Sequence, residues 1–423
     1  MKLNRREFVK TTAGVVTVAS VGPTVDRPVA AAGAGGPDFN SVRADFPWIK
    51  RKVWLSGADY HPMGIHSIRA IENYIAWRAK GPGEGRSTFT GQQQNETKEL
   101  FGRLVNAKPS EIAFVGSTTD AENEVVAGMD IPRKGGNVVI DDLHYQASKY
   151  MYRMLEKDGK IELRIVPQRD WKIDVNEMDR VVDRNTRLVS LALVSNINGY
   201  LHNVKATSDI AHARGAYVYA DIIQAAGAVP IDVRAMGIDC AGCGAYKWLQ
   251  GDFGFGFLYV REDLQGTIVQ RSRWGVRQYS SANQSDSQFE VRPGAAMFES
   301  GSFAYGAGVC THASLKYINS LGVDNIRAHV KPLTDRLLKE LPALGYPAIT
   351  PKDNPTPIVS FLNPNPEKTQ AKLDKAFGEY VVAPRRWEFT DRTGKVTIVQ
   401  GLRISPSVYN NQEDIDALLN ALH

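Results

Sequence analysis

The chain has 423 residues and a formal net charge of +5, of which the first 36 residues, with five basic residues against Glu7 and Asp26, contribute +3. The remainder carries about +2 by the same counting, which gives nucleic-acid binding no electrostatic support. The length predicts two or three domains, no apolar run reaches the length of a membrane span, and only three cysteines argue against a disulfide framework.

The first 36 residues are predicted to be an export signal followed by a short linker. Residues 4–10 contain Arg5 and Arg6 and precede a mildly apolar stretch, Thr11–Val21, and then Ala30–Ala32. The pattern resembles a twin-arginine signal with an Ala-x-Ala cleavage site, and the alternative is a disordered basic tail. We therefore expect the twin-arginine translocation machinery to export the folded protein, which places it in the periplasm or outside the cell.

Between Gly81 and Val260, short β-branched runs alternate with helical patterns, which predicts an α/β domain with a mostly parallel sheet. Several strands are apolar almost throughout, as expected where both faces of a sheet are covered. The predicted strands are Ile112–Val115, Asn137–Ile140, Ile161–Val166, Leu188–Val194, Tyr217–Ala220 and Phe255–Val260. The predicted helices are Thr119–Met129, Gln146–Lys157, Val175–Val182 and Lys205–Ala213.

Beyond Gly301 the pattern changes to that of a smaller α+β domain. Its predicted elements are the helices Tyr305–Leu321, Asp324–Leu341, Pro366–Phe377 and Gln412–Leu422 and the strands Ile358–Phe361 and Val396–Ser405. The predicted organisation is therefore a signal and linker at 1–36, a segment packing on the small domain at 37–80, a large domain at 81–303 and a small domain at 304–423.

Two residues near the ends of buried strands indicate one kind of chemistry. Lys247 lies in the run CGAYKWLQGDFGFGFLYV, and Asp221 closes the strand Tyr217–Ala220. A buried lysine can form a Schiff base with an aldehyde cofactor, and a neighbouring aspartate can keep the ring nitrogen of that cofactor protonated. Together they are what pyridoxal phosphate (PLP) chemistry requires, although Asp221 in isolation would more simply cap a turn.

Further polar residues follow strands at the same predicted edge, where open α/β sheets bind ligands. Gly116–Thr119 opens a helix and can bind phosphate, or it is an ordinary N-cap. Asn196 can donate to a cofactor oxygen or a substrate carboxylate, and His144 can stack on a pyridine ring, although a lone histidine is more often a satisfied core residue. Arg403 can clamp a carboxylate bidentately, or it is a surface residue of a strand.

These residues resemble the class V family of fold-type I PLP enzymes over nearly the whole mature chain, from Trp54–Ala58 to the C-terminus. The resemblance rests on the separation of Asp221, Gln224 and Lys247, on the placement of His144, and on the closing strings GFLYVR and LRISPSVYNNQEDIDALL. It implies a fold-type I α/β architecture with a small C-terminal α+β domain, a PLP-dependent enzyme acting on an amino acid or small peptide, and a homodimer.

The resemblance also implies a role for each residue. Lys247 would carry the cofactor and move the proton at the substrate's α-carbon, and Asp221 would pair with the pyridinium nitrogen. Gln224 would donate a hydrogen bond to the phenolate oxygen of the cofactor, and His144 would stack on its ring. Thr118 and Thr119 would bind the phosphate, as would Ser302 across a dimer interface. Asn196 would contact the ring and the substrate, and Arg403 would bind the substrate's carboxylate.

Two positions beside Lys247 depart from the family pattern. Gly244 and Tyr246 stand where the family often has serine and histidine, so one phosphate hydroxyl is missing, and Tyr246 or Ser302 is expected to compensate. The tyrosine resembles the kynureninase and isopenicillin N epimerase-like branches. Residues 378–401 contain no cysteine, whereas desulfurases carry their nucleophile on a loop of the small domain. This disfavours a cysteine desulfurase.

We therefore expect an exported aminotransferase, with an epimerase or a C–S or β-lyase as alternatives and a desulfurase or a non-catalytic PLP-binding protein ranked below them. Two basic aromatic stretches, Gln270–Arg277 and Arg385–Trp387, are candidates to receive an acidic or peptidic side chain, though such runs are more often solvated. Cys240 and Cys243 have Cys-x-x-Cys spacing, which without a second pair favours small packing residues over a metal site.

Overall fold

The computed structural model of the chain describes residues 36–50, 52–280, 289–378, 381–382, 384–390 and 394–423. The predicted twin-arginine motif and its cleavage site at Ala30–Ala32 lie outside these residues. Among the residues that are described, no helix is long and apolar enough to cross a membrane.

The larger of two sheets has seven strands and is flanked by helices. Its strands are β1 (Ile112–Val115), β2 (Asn137–Asp141), β3 (Glu162–Val166), β4 (Thr186–Ala192), β5 (Tyr217–Asp221), β6 (Cys240–Gly244) and β7 (Gly256–Val260). The helices that precede or connect them are α1 (Phe39–Ala44), α2 (Ile65–Lys80), α3 (Gly91–Val105), α4 (Thr118–Gly128), α5 (Ile131–Lys134), α6 (Gln146–Lys157), α7 (Val175–Val181) and α8 (Val204–Ala213).

The strand order in this sheet is β1-β7-β6-β5-β4-β2-β3. Only β7 runs against its neighbours, pairing antiparallel with both β1 and β6, while the other adjacent pairs are parallel. Every strand except β7 therefore ends at the same edge of the sheet. The predicted mostly parallel sheet is confirmed, and the polar residues that follow its strands are gathered at one edge.

One strand of this sheet was not predicted. Strand β6, which reads Cys-Ala-Gly-Cys-Gly, carries no β-branched residue, so its composition gives no strand signal, yet all five residues are buried. Small side chains are needed there because a Cβ on Gly242 would lie 2.2 Å from the Tyr219 hydroxyl oxygen. Cys240 and Cys243 are thus buried packing residues beside the neighbouring strand and helix.

The second sheet has three antiparallel strands in the order β8-β10-β9, namely β8 (Val359–Leu362), β9 (Pro384–Thr390) and β10 (Val396–Ile404). The helices of this part of the chain are α9 (Tyr305–Leu321), α10 (Val323–Glu340), α11 (Pro366–Phe377) and α12 (Gln412–Leu422). Strand β9 was not predicted, because its sequence Pro-Arg-Arg-Trp-Glu-Phe-Thr begins with proline and contains three charged residues. The predicted domain boundaries stay predictions.

The segment before the large sheet is tied to the end of the chain. Ser56 forms a parallel bridge with Ser405, and Arg43 forms an ion pair with Asp414 at 2.8 Å. The bridge continues through Ala58, whose amide donates to the Ser405 hydroxyl at 3.0 Å. These contacts hold the loop that follows Ala58 in one place, next to the edge of the large sheet.

Candidate active site

The predicted site residues converge on two adjoining cavities at the carboxyl edge of the large sheet. The smaller, of about 70 Å³, is lined by Thr118, Thr119, Asn196, Asp221, Gln224, Tyr246 and Lys247. The larger, of about 320 Å³, shares Asn196, Tyr246 and Lys247 with it and adds His144 and Arg403. Of the predicted residues, only Ser302 lies elsewhere, and residues from opposite ends of the chain meet here.

Lys247 is 8% exposed and follows β6 after two residues. Burial lowers its pKa from 10.5 to about 8, against the opposing effect of the Asp221 charge. Its Nζ atom lies 5.9 Å from the centre of the Tyr145 ring and 5.7 Å from that of Tyr246. A lysine in this setting is partly neutral near physiological pH, and a neutral amine is the nucleophilic form.

Asp221 ends β5 and is also buried. Burial raises the pKa of its carboxyl group, and a hydrogen bond from the amide of Ile223 at 3.0 Å offsets this only in part. Within the described residues the carboxylate interacts with the charge of Lys247 but forms no ion pair with it. Asp221 is therefore a buried acid that a cationic group in the cavity would stabilise in its ionised form.

His144 is buried and held in a polar network behind the cavity. Its Nε2 atom lies 2.9 Å from the Ser190 hydroxyl and 3.7 Å from the Glu122 carboxylate. Glu122 also accepts hydrogen bonds from Ser190 at 2.7 Å and from Tyr152 at 2.9 Å. Burial by itself would lower the pKa of His144, but the hydrogen bond and charge of Glu122 keep it above its ordinary value.

Thr118 and Thr119 begin α4, whose free amides and positive dipole end suit a phosphate. The Thr118 hydroxyl oxygen accepts a hydrogen bond from the amide of Gly244 at 2.9 Å, which leaves its own proton available to a ligand. A Cβ on Gly244 would lie 3.1–3.4 Å from atoms of Ile223, Tyr246 and Thr118. A side chain at position 244 would therefore crowd the Tyr246 ring, which is a reason for glycine at this position.

The side chain of Gln224 is engaged at both ends. Its Nε2 atom donates to the carbonyl of Ala58 at 3.0 Å, and its Oε1 atom accepts from Trp248 at 2.8 Å. Gln224 also lines the smaller cavity beside Lys247. Gln224 thereby links the loop at Ala58 to the turn that carries Lys247.

Arg403 lies on β10 and is buried at the wall of the larger cavity. Its guanidinium donates to the main-chain carbonyl of Asn196 at 2.8 Å and forms an ion pair with Asp59. Asp59 forms a second ion pair with Arg385 of β9. The arginine that was predicted to bind a carboxylate therefore already binds one, supplied by the chain itself.

Ser302 and the stretch Gln270–Arg277 are not brought to Lys247. Ser302 lines a separate cavity of about 270 Å³ together with Gly116, Asp120 and Arg273. Of the two basic stretches, only Arg385–Trp387 lines the cavity with Lys247. A larger open cavity of about 1120 Å³ lies between β3 and the β9–β10 hairpin and contains none of the predicted site residues.

A family model for class V aminotransferases matches residues 68–418 of this chain. The chain belongs to the class V aminotransferase family. Its membership confirms that the chain is a PLP-dependent enzyme, that PLP is its cofactor and that its fold is the fold-type I architecture predicted from sequence.

Individual relatives are named for sulfur chemistry. A probable cysteine desulfurase of Methanothermobacter thermautotrophicus is 28% identical over 344 residues, which cover 80% of this chain and 85% of that one. The apo structure of a cysteine desulfurase from Thermococcus onnurineus has a TM-score of 0.77 at 21% identity and covers 90% and 96% of the two chains. A cystine C–S lyase, solved with its product cysteine persulfide, has a TM-score of 0.74 at 18% identity, covering 89% and 98%.

These relatives overturn the expected reaction. The sequence predicted an aminotransferase and ranked desulfurase chemistry low. Two relatives carry the name of an uncharacterized aminotransferase, but relatives from Methanothermobacter thermautotrophicus, Haloferax volcanii and Escherichia coli are named cysteine desulfurases. The prediction of an aminotransferase is therefore wrong. The low rank of a desulfurase rested on the absence of a loop cysteine and on Tyr246, but a loop cysteine bears on where a desulfurase places its sulfur rather than on carbon–sulfur cleavage itself.

The residues present fit PLP. The Oδ1 atom of Asn196 is buried and accepts no hydrogen bond from the described residues, and the buried Asp221 acid faces the same cavity. A protonated ring nitrogen would complement Asp221, the aldehyde would meet Lys247, and the phosphate would meet Thr118 and the start of α4. Within the described residues Lys247 and Asp221 form no ion pair with each other, and the cofactor would supply a partner to each.

Sequence reasoning missed three residues of the site. Tyr145 precedes α6 beside the predicted His144, Glu122 lies in the middle of α4, and Asp59 follows the predicted string Trp54–Ala58. Glu122 and Glu124 of α4 are both buried, and nothing in the helix pattern singles out Glu122. No local pattern indicates Asp59, because its partners lie more than 300 residues away along the chain.

The lowered pKa of Lys247 predicts how fast the cofactor-free protein captures PLP. Only the neutral amine reacts, so the rate of capture should rise about tenfold per pH unit below the lysine pKa and level off above about pH 8. Absorbance of the bound cofactor and borohydride trapping on Lys247 measure this rate. Asp221→Asn should shift the midpoint to lower pH, because the charge it removes raises the pKa of Lys247. A midpoint near 10.5 in the unsubstituted protein would contradict the assignment.

Proposed function

We propose that this enzyme removes sulfur from cysteine or a cysteine derivative by PLP-dependent cleavage of the carbon–sulfur bond, and that the sulfur leaves with an acceptor outside the chain. The support is twofold. The named relatives act on the sulfur of cysteine or cystine, and the cavity beside Lys247 contains a carboxylate-binding arginine, Arg403, suited to an amino acid.

The cysteines of the chain argue for an outside acceptor. All three, Cys240, Cys243 and Cys310, are buried. Burial raises the pKa of the Cys240 and Cys243 thiols well above the ordinary value and that of Cys310 to about 12. The thiolate is the nucleophilic form, so none of the three is suited to receive sulfur from a substrate.

The residues of the site divide the work among them. PLP, when bound, supplies an electron sink for negative charge at the substrate's α-carbon. Lys247, with a pKa of about 8, can take up and return a proton near neutral pH. Arg403, whose guanidinium is already paired with Asp59, would share that guanidinium with the substrate's carboxylate and so orient it. Tyr246, whose pKa burial raises to about 12, keeps its hydroxyl proton and can donate it to a developing negative charge.

The proposal predicts the products. With L-cysteine or L-cystine and a reductant, the purified holoenzyme should release sulfide together with pyruvate or alanine. Lys247→Ala should lower this release on the order of 10³-fold, because it removes the proton-transferring amine. Lys205→Ala, at an exposed lysine paired with Asp209 on α8, is the matched control and should keep full activity. Formation of the intact 2-oxo acid without sulfide would refute the proposal.

Export by the twin-arginine route, and a periplasmic or secreted location, are also part of the proposal. They are supported by Arg5 and Arg6 followed by the apolar stretch Thr11–Val21. Placement in the isopenicillin N epimerase-like branch rests on Tyr246 alone and stays a prediction.

The export proposal has a direct test. Replacing both Arg5 and Arg6 with lysine should retain the protein in the cytoplasm, because the twin arginines are what the translocation machinery reads. Cell fractionation followed by immunoblotting measures the distribution, and Lys10→Arg in the same segment is the control. An unchanged periplasmic fraction in the double variant would rule this route out.

A homodimer completes the proposal. Ser302, which the family resemblance assigns to a phosphate across the interface, lines a cavity separate from Lys247. Trp274 and Val276, about 70% exposed, flank Gly275, which packs against the main chain of Ser300. We therefore expect sedimentation at twice the mass of one chain, and Trp274→Asp should yield a monomer with weaker PLP binding. A monomeric unsubstituted protein that holds PLP firmly would count against it.

A further inference from the structure

We propose that the larger cavity contains a second carboxylate site, formed by Arg385 beside Arg403, so that the enzyme prefers an α-amino acid whose side chain ends in a carboxylate. This deepens the proposed function, since it takes from it only that the substrate is an amino acid. Arg385 and Arg403 are not among the residues that would hold the cofactor. The second site would select a substrate by the negative charge of its side chain, whether or not that side chain contains sulfur.

The first observation is the position of Asp59. Its two carboxylate oxygens form ion pairs with different arginines, one with Arg403 and the other with Arg385. The loop that carries it is fixed, because Gly57 and Ala58 both donate to Ser405 at 3.0 Å. One carboxylate thus spans both guanidinium groups, which shows that each lies within reach of a carboxylate in the cavity.

The second observation is that the two arginines share one face of a sheet. Arg385 of β9 pairs with Gly401 of β10, and Arg403 lies two residues further along β10. Side chains two residues apart on a strand point to the same face, so Arg385 and Arg403 are diagonal neighbours. Gly401, which lies opposite Arg385, has no side chain of its own. The ring of Trp387 packs against Gly401 at the place where a Cβ atom would be.

The third observation is the charge of the cavity wall. Among the described residues that line it, the cations are Lys149, Lys247, Arg385, Arg386 and Arg403, and the carboxylates are Asp59 and Glu388. Arg386 and Glu388 form an ion pair with each other. A single substrate carboxylate at Arg403 would leave the wall with a positive excess, and a second one beside Arg385 would reduce it.

Binding of sulfur-free ligands tests the site independently of the reaction. The probes are L-glutamate and L-2-aminoadipate against the neutral L-glutamine and L-norleucine, with dissociation constants read from the absorbance of bound PLP. The unsubstituted holoenzyme should bind at least one of the two diacids about tenfold more tightly than its neutral match, because a charge-assisted hydrogen bond is worth this much. The outcome of this binding experiment does not depend on whether the enzyme releases sulfide from cysteine.

Two variants locate the preference. Arg385→Gln should abolish the preference for the diacid, and Arg385→Lys, which keeps the charge but loses the fork, should reduce it in part. Lys205→Gln removes the same charge at an exposed position outside the cavity and should leave the preference intact. Equal binding of diacid and neutral ligand by the unsubstituted enzyme, or equal loss of preference in the Arg385→Gln and Lys205→Gln variants, would overturn the proposal.

Discussion

The burial of two opposite charges at one edge of a parallel sheet is the constraint on which the rest of this site depends. Lys247 and Asp221 lie in the same cavity without forming an ion pair with each other. Burial lowers the pKa of Lys247 to about 8 and raises the pKa of Asp221. Asp221 is the last residue of β5 and Lys247 follows the adjacent strand β6 after two residues, so the sheet holds both charges in these costly positions. A cofactor with an aldehyde and a basic ring nitrogen satisfies both groups at once.

Much of this edge could be predicted from sequence, because strands that are apolar throughout end abruptly at polar residues. Asp221, His144 and Asn196 were found in this way, and the sheet gathers them as expected. Strand β6 escaped prediction because small residues carry no strand signal, although packing against Tyr219 requires them. The partners of Arg403 also escaped, since Asp59 is separated from it by 344 residues.

The correction of the reaction has a physical reason. A missing loop cysteine was taken to disfavour a desulfurase, but carbon–sulfur cleavage by a PLP enzyme depends on charge at the substrate's α-carbon, which the cofactor and its lysine govern. The cysteines decide a different matter, namely where sulfur goes afterwards. In this chain Cys240 and Cys243 lie within a buried strand and Cys310 within a buried helix face, so the fold uses all three for packing.

We therefore propose that sulfur is cleaved from a cysteine-type substrate without passing through a thiol of this chain. The most direct test is the intact mass of the enzyme, quenched during turnover with cysteine and cystine while sulfide release is followed in the same sample. We expect sulfide release with no sulfur atom added to Cys240, Cys243 or Cys310. A turnover-dependent persulfide on any of the three would contradict it.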